Sequence, residues 1–202
     1  MMKLTRYSGS KNRLLKYFPS IPEGTTRLVE LYGGSLAWSL NQSLPFLAYE
    51  INPKLTAMYQ WLLSLTPREL ECLPEPIGKV DIRTFGWGIG QNTYYQLNVC
   101  SVMLGQLSSW TWNPKYKLPI AQTLEALPRL REGTIIGGDC SQYTYQNGDF
   151  VFIDPPYIHT KANYKDGEIA YHPRQTIEII NRLPNNKWMM TYSSIPDEFI
   201  WL

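Results

Sequence analysis

Residues 150–157 read Phe150-Val151-Phe152-Ile153-Asp154-Pro155-Pro156-Tyr157: four apolar residues, then an acid, two prolines and a ring. A short apolar run closed by proline is the pattern of a strand buried on both faces, as in a parallel sheet. Proline ends it because it has no N–H to give to a ladder. The string after the strand is either plain turn chemistry, with the tyrosine capping a core, or a site. In open α/β sheets, ligands sit beyond the carboxyl ends of the strands, which is where Asp154 falls. Consecutive prolines stiffen the backbone, so the Asp154 carboxylate and the Pro155 carbonyl can face one point. Two acceptors there suit an exocyclic amino group, and Tyr157 offers a face on which a flat ring can stack.

Working outward, the same alternation recurs. Residues 27–31 (RLVEL) read as a strand, Tyr32-Gly33-Gly34 breaks it, and residues 35–40 are expected to open a helix. Residues 46–49 (FLAY) form a second strand, and Asn52-Pro53 is a helix start with Asn as cap and Pro in the first turn. That helix is expected over residues 54–64, with Leu55, Met58, Tyr59, Leu62 and Leu63 on one face. Residues 12–18 suggest a short helix stopped by Pro19. Farther on, residues 121–131 and 173–181 read as helices, and 134–136 and 188–192 as strands. Strands alternating with helices predict an α/β fold with a parallel sheet.

Residues 67–119 differ in texture. Pro74, Pro76, Gly78, Gly86, Gly88 and Gly90 interrupt them, and runs such as GQNTYYQLN and SSWTWNPKYKLP replace apolar periodicity, except over residues 93–104. The segment reads as an inserted small domain or a long functional loop. The expected organisation is therefore a core of residues 1–66 and 120–202 around an insert at 67–119.

Composition removes several classes. At 202 residues and 44% apolar, the chain is long and apolar enough for one ordinary domain with a small insert, not a disordered polymer. No apolar run approaches the ~18 residues that span a bilayer, and the first 16 residues lack the apolar core of a secretory signal. Cys72, Cys100 and Cys140 are odd in number and far apart, which excludes a disulfide scaffold. With His159 and His172 they leave too few soft ligands for zinc. The expectation is a cytoplasmic protein with no membrane partner and no metal. The net charge of +2 decides nothing by itself.

The Asp-Pro-Pro-Tyr string is shared by the adenine- and cytosine-N methyltransferases, and three further segments resemble that family. Arg6-Tyr7-Ser8-Gly9-Ser10-Lys11 is similar to its amino-terminal cofactor motif. Val29-Glu30-Leu31-Tyr32-Gly33-Gly34-Ser35-Leu36 is similar to the Glu-Pro-Phe-x-Gly motif that opens the S-adenosylmethionine pocket. Glu50-Ile51-Asn52-Pro53 is similar to the Asp-Ile-Asn-Pro segment that ends the second strand, with Glu in place of Asp. The order of these segments resembles the Dam-like DNA adenine-N6 methyltransferases over residues 3 to about 195, least closely across the insert.

The resemblance implies a Rossmann-like methyltransferase core, S-adenosylmethionine as cofactor, and double-stranded DNA as partner, with the target base flipped from the duplex. It places Asp154, Pro155, Pro156 and Tyr157 at the reacting amine. Tyr7, Lys11, Glu30, Tyr32, Gly33, Gly34, Glu50, Asp139 and Asp154 fall around the cofactor. Glu50 is expected on the ribose hydroxyls, and Asp139 either near the adenine or in a plain turn. The insert corresponds to the target-recognition region. There Arg83, Lys115 and Lys117 would meet phosphates, and Asn92, Gln96 and Asn113 would read base edges. Trp110 and Trp112 would wedge or stack, or else pack a core. The recognition region is reduced to WNPKYKLP, and Leu202 falls short of the closing helix and strand pair usual in members. That implies a fragment, a split gene or a shortened enzyme. Cytosine-N4 methylation and a truncated homologue that binds without turnover are the alternatives, and a restriction partner is unassigned.

Overall fold

The computed structural model describes residues 2–7, 10–75, 77–100, 109–156 and 173–192. Tyr157 and both histidines lie outside them. Five strands form one parallel sheet: β1 (Arg27–Glu30), β2 (Phe46–Glu50), β3 (Gly133–Gly137), β4 (Asp149–Ile153) and β5 (Trp188–Met190). Their order is β3-β2-β1-β4-β5. The chain winds outward from β1 to β3, then returns to β1's other side with β4. The order therefore reverses between β1 and β4, which is where doubly wound sheets open a crevice.

Period-two alternation distributes the strand side chains between two cores. Leu28, Phe46, Ala48, Phe150 and Phe152 join the larger, with residues of helices α1 (Pro53–Ser64), α3 (Ile89–Val99) and α4 (Ile120–Arg131). Val29, Leu31, Tyr49, Val151 and Ile153 join the smaller, against Ile179 and Ile180 of helix α5 (Pro173–Ile180). The central strands are thus covered on both faces, as their apolar sequences require, while Thr134 and Ile136 of the edge strand β3 stay exposed. Helix α1 starts as expected: the Asn52 side chain accepts the Lys54 N–H at 3.0 Å, and Pro53 occupies the first turn.

Two local expectations are corrected. Residues 35–40 form turns and a 3-10 turn at Ser39–Asn41, not a helix. Gly34 and Leu36 both take left-handed backbone angles, φ 50° and 53°, which a right-handed helix cannot contain. Leu36 is fully buried, and that apolar contact offsets the strain. Residues 12–18 are likewise not one α-helix but two 3-10 turns, Lys11–Arg13 and Leu15–Tyr17, too short for α-helical bonding to propagate.

Residues 67–119 hold the short helix α2 (Pro67–Glu71), a 3-10 turn at Ile82–Phe85, α3, and two isolated antiparallel bridges, Asp81 with Thr111 and Cys100 with Trp112. Helix α3 lies directly on α1. A side chain at Gly90 would overlap the Ala57 carbonyl and Trp61, so glycine there is a packing requirement. Tyr94, Tyr95, Leu97, Val99, Trp112 and Leu118 belong to the same apolar cluster as Leu28 and Phe152. Among the described residues, no helix is long and apolar enough to cross a membrane, and no group of acids, cysteines and histidines could hold a metal.

Candidate active site at the carboxyl edge of the sheet

Strand parity alone gathers the acids. Glu30 ends β1, Glu50 ends β2, and Asp154 follows the last residue of β4. Each continues the alternation of Leu28, Ala48 and Phe152, so all sit on the larger-core face at one end of the sheet. Burial raises the pKa of every one, because a carboxylate removed from water loses its hydration. Glu30 is pushed up to about 8 and Glu50 to about 7. Asp154 is raised by burial, opposed by the charge and hydrogen bond of Lys11 and the hydroxyl of Thr191.

Their partners differ. Asp154 Oδ2 accepts from Lys11 Nζ at 2.5 Å, and Oδ1 accepts from Thr191 Oγ1 at 2.6 Å. Pro155 beside it is buried and Pro156 half-buried. Glu30 accepts both the hydroxyl and the backbone N–H of Ser39, at 2.6 and 3.2 Å. It therefore braces the turn after Gly34 from inside the core instead of facing a ligand. Glu50 Oε2 accepts the Gly34 N–H at 2.6 Å, and Oε1 accepts the Asn52 N–H at 2.7 Å. A carboxylate has about four acceptor positions, so Glu50 clamps the glycine turn and still has lone pairs for a hydroxyl.

The glycine turn is held on every side. Gly33 donates to the Tyr49 carbonyl at 2.8 Å. A Cβ on Gly33 would stand 3.2 Å from that oxygen and 3.3 Å from Leu36, while Gly34 lies under the Tyr7 ring. The Tyr59 hydroxyl donates to the Gly34 carbonyl. Tyr32 is turned the other way, with its hydroxyl 2.9 Å from that of Thr176 on α5. The amino-terminal motif closes over the turn: Ser35 Oγ lies 3.0 Å from Ser10 Oγ, which also accepts from Asn12 at 2.8 Å. Asp139 is exposed after β3 and caps the 3-10 turn Cys140–Gln142, accepting the Ser141 N–H at 2.8 Å. The structure thus places Tyr7, Lys11, Gly33, Gly34, Glu50 and Asp154 around one edge, with Asp139 on its rim.

This donor set suits a nucleoside carrying a charged tail. Ile51, 39% exposed and next in sequence to Glu50, offers apolar surface for a purine. Asn12 Oδ1 is a buried acceptor without a partner next to Lys11 and Ser10, the kind of group an ammonium would satisfy. S-adenosylmethionine has all three parts: purine, ribose and amino acid.

The insert residues separate into two sets. Trp112 is 3% exposed and packs near Tyr95, ring centroids 6.0 Å apart; it is a core residue, not a stacking surface. Gln96 is buried as well, and Asn92 donates to the Trp87 carbonyl at 2.8 Å, so neither presents an amide to a base edge. Arg83 is exposed, but its guanidinium is forked onto Asp81 at 2.5 to 3.1 Å. That bond pulls the Asp81 carboxyl down to about 2 and occupies the cation expected on a phosphate. The outward set is Lys115 and Lys117, both exposed, with half-buried Trp110 and Asn113. Asn113 Oδ1 accepts the Lys115 N–H at 3.0 Å. Two core cations join them: Arg6 lies 4.5 Å over the Tyr116 ring, and Lys54 lies 5.7 Å from Trp110. Sequence reasoning missed Arg6 and Thr191. A parallel pairing of β5 with β4 would have found Thr191, since Ile153 pairs with Met190 and the next residues face each other.

No family model matches the chain. It is similar to Modification methylase StsI of Streptococcus sanguinis, 19% identical over 201 residues. The match covers 82% of this chain and 30% of that protein. The chain therefore spans less than a third of the length of the curated relative it matches. That relative is a modification methylase. A parallel α/β sheet with its acids at one edge is compatible with the Rossmann-like methyltransferase fold expected from the motifs.

Proposed function

We propose that the chain is an S-adenosylmethionine-dependent DNA methyltransferase that modifies adenine N6 in duplex DNA. The observation that carries this reading is Asp154, half-buried at the sheet's switch point, followed by two prolines and bonded through both oxygens. Bound S-adenosylmethionine would supply an electrophilic methyl group. Glu50 and Ile51 would hold its nucleoside, and Tyr7, Lys11 and Asn12 its amino-acid end. The target amine is buried in duplex DNA, so the base leaves the stack to reach it. Asp154 and the Pro155 carbonyl then accept the two amine hydrogens. That turns the nitrogen lone pair outward and favours the positive charge developing on nitrogen. Tyr157 comes next in sequence and would give the base a ring to lie on. Residues 67–119 would serve recognition, through the outward lysines and not the buried tryptophan.

The test is incubation of the protein with radiolabelled S-adenosylmethionine and duplex DNA, then nucleoside mass spectrometry. N6-methyladenine is the expected product. N4-methylcytosine would move the reading to the other amine, which the same acceptors could hold. Cofactor binding with no methylated base would establish a binding protein without turnover.

A further inference from the structure

Asp154 is held from opposite ends of the chain, and its two partners are unlike. Lys11 stands on a 3-10 turn and reaches the carboxylate through a four-carbon stem. Thr191 comes from the end of β5, where its backbone N–H donates to the Ile153 carbonyl at 3.0 Å. Its hydroxyl, 2.6 Å from Asp154 Oδ1, is therefore delivered by the sheet itself. An aspartate's terminal torsion is broad and roughly two-fold, so Asp154 has little preference of its own about where its lone pairs point. Threonine, stiff at χ1, supplies that preference.

We propose that Thr191 is a positioning residue: its hydroxyl sets the rotation of the Asp154 carboxylate, so that a free lone pair meets the incoming amine. This rests on the reading of Asp154 as the amine's acceptor. Lys11 compensates charge and its long stem can follow the carboxylate; Thr191 fixes direction. A neutral donor also has an advantage here, because it does not repel the positive charge that builds on the amine.

The test compares T191V, which keeps the shape and removes the O–H, with T191S, which keeps the donor. In T191V, kcat should fall about tenfold, with KM for DNA and cofactor affinity within about twofold of wild type. T191S should recover most of kcat. A second readout needs no turnover: carbon-13 NMR titration of the Asp154 carboxyl in the free protein. Its pKa should move upward in T191V and return in T191S, because losing a hydrogen bond to the charged form favours the proton. An unchanged titration shows the bond is not made and overturns the proposal. A shifted titration with unchanged kcat shows the bond is made but unused, which also overturns it. Cofactor affinity and kcat falling together, with a lowered Tm, would leave Thr191 as a structural brace and overturn it too. If wild type methylates no DNA, the methyltransferase reading falls and the catalytic role of Thr191 with it; the titration still shows separately whether the hydroxyl orients Asp154.

Discussion

The carboxyl edge of the sheet and residues 67–119 contain similar polar groups put to different ends. At the edge, strand parity decides the face: Glu30, Glu50 and Asp154 each stand two residues beyond a side chain of the larger core, Leu28, Ala48 and Phe152. In the insert, composition misleads. The run GQNTYYQLN has the texture of a recognition surface, yet it forms α3, and Tyr94, Tyr95, Gln96 and Asn98 are all buried. The two tyrosine hydroxyls and the Asn98 amide N–H find partners inside the molecule, while Asn98 Oδ1 is buried without one. The Tyr95 hydroxyl donates to the Pro74 carbonyl at 2.7 Å, Tyr94 pairs with Thr123 at 2.7 Å, and Asn98 donates to the Leu4 carbonyl at 3.2 Å. A tyrosine or asparagine is a surface group or a core group according to what its neighbours accept, and the local pattern does not carry that information.

The largest effect is expected at Trp112. If it is core, Trp112→Ala should cost roughly 3–5 kcal/mol of stability, read from denaturant unfolding. The folded fraction should bind DNA with an unchanged salt slope. A variant of normal stability that loses DNA affinity would restore the stacking role and put the insert outside the core.

Asp154→Ala addresses the other region. Removing a preorganised acceptor costs on the order of 10²–10³ in kcat, and the expected loss in methyl transfer lies in that range, with a folded protein by circular dichroism. Lys11 would then face the target without its counter-charge, which should deepen the loss. Retention of more than about a tenth of wild-type kcat would remove Asp154 from the chemistry.

The strands and the site acids were readable because buried strands and strand ends obey a period of two. The helix expected at residues 35–40 was not, because the left-handed angle at Leu36 is imposed by tertiary packing that no local pattern announces. The pairing of Arg83 with Asp81 was within reach of the sequence, two residues apart with a turn between. Thr191 needed the sheet order, and Arg6 needed the fold to bring the amino terminus to Tyr116.

The buried acids also set a pH dependence. Glu30 titrates near 8 in the folded protein against an ordinary glutamate value of about 4.5. The folded state therefore holds a proton that the unfolded chain has already released, and the sign is fixed: stability falls as pH rises from about 4.5 to about 8. Glu30→Gln keeps an acceptor for Ser39 and removes the titration. Its Tm should decline less than wild type between pH 5 and 8, by a few degrees. Parallel curves for the two proteins would show that Glu30 is charged throughout and that its burial is compensated.

The smallest effects belong to the outward cations, and they test whether the proposed recognition face is the insert alone. Lys115 and Lys117 are exposed on either side of Tyr116, and Arg6 reaches the same ring from the amino-terminal segment. No ion pair among the described residues takes any of the three. Each phosphate contact contributes about 0.9 to the slope of log affinity against log salt. Lys115→Ala with Lys117→Ala should therefore flatten the slope by roughly two and weaken all duplex sequences about equally. Arg6→Ala should flatten it by a further one, although it lies outside residues 67–119. Arg83→Ala should leave the slope unchanged, because Asp81 already holds that guanidinium. Fluorescence anisotropy across a salt series reads all three. If Arg83 carries the slope and Arg6 does not, the face runs along the Ile82–Phe85 turn, and the division of the insert into buried and outward halves must be redrawn there.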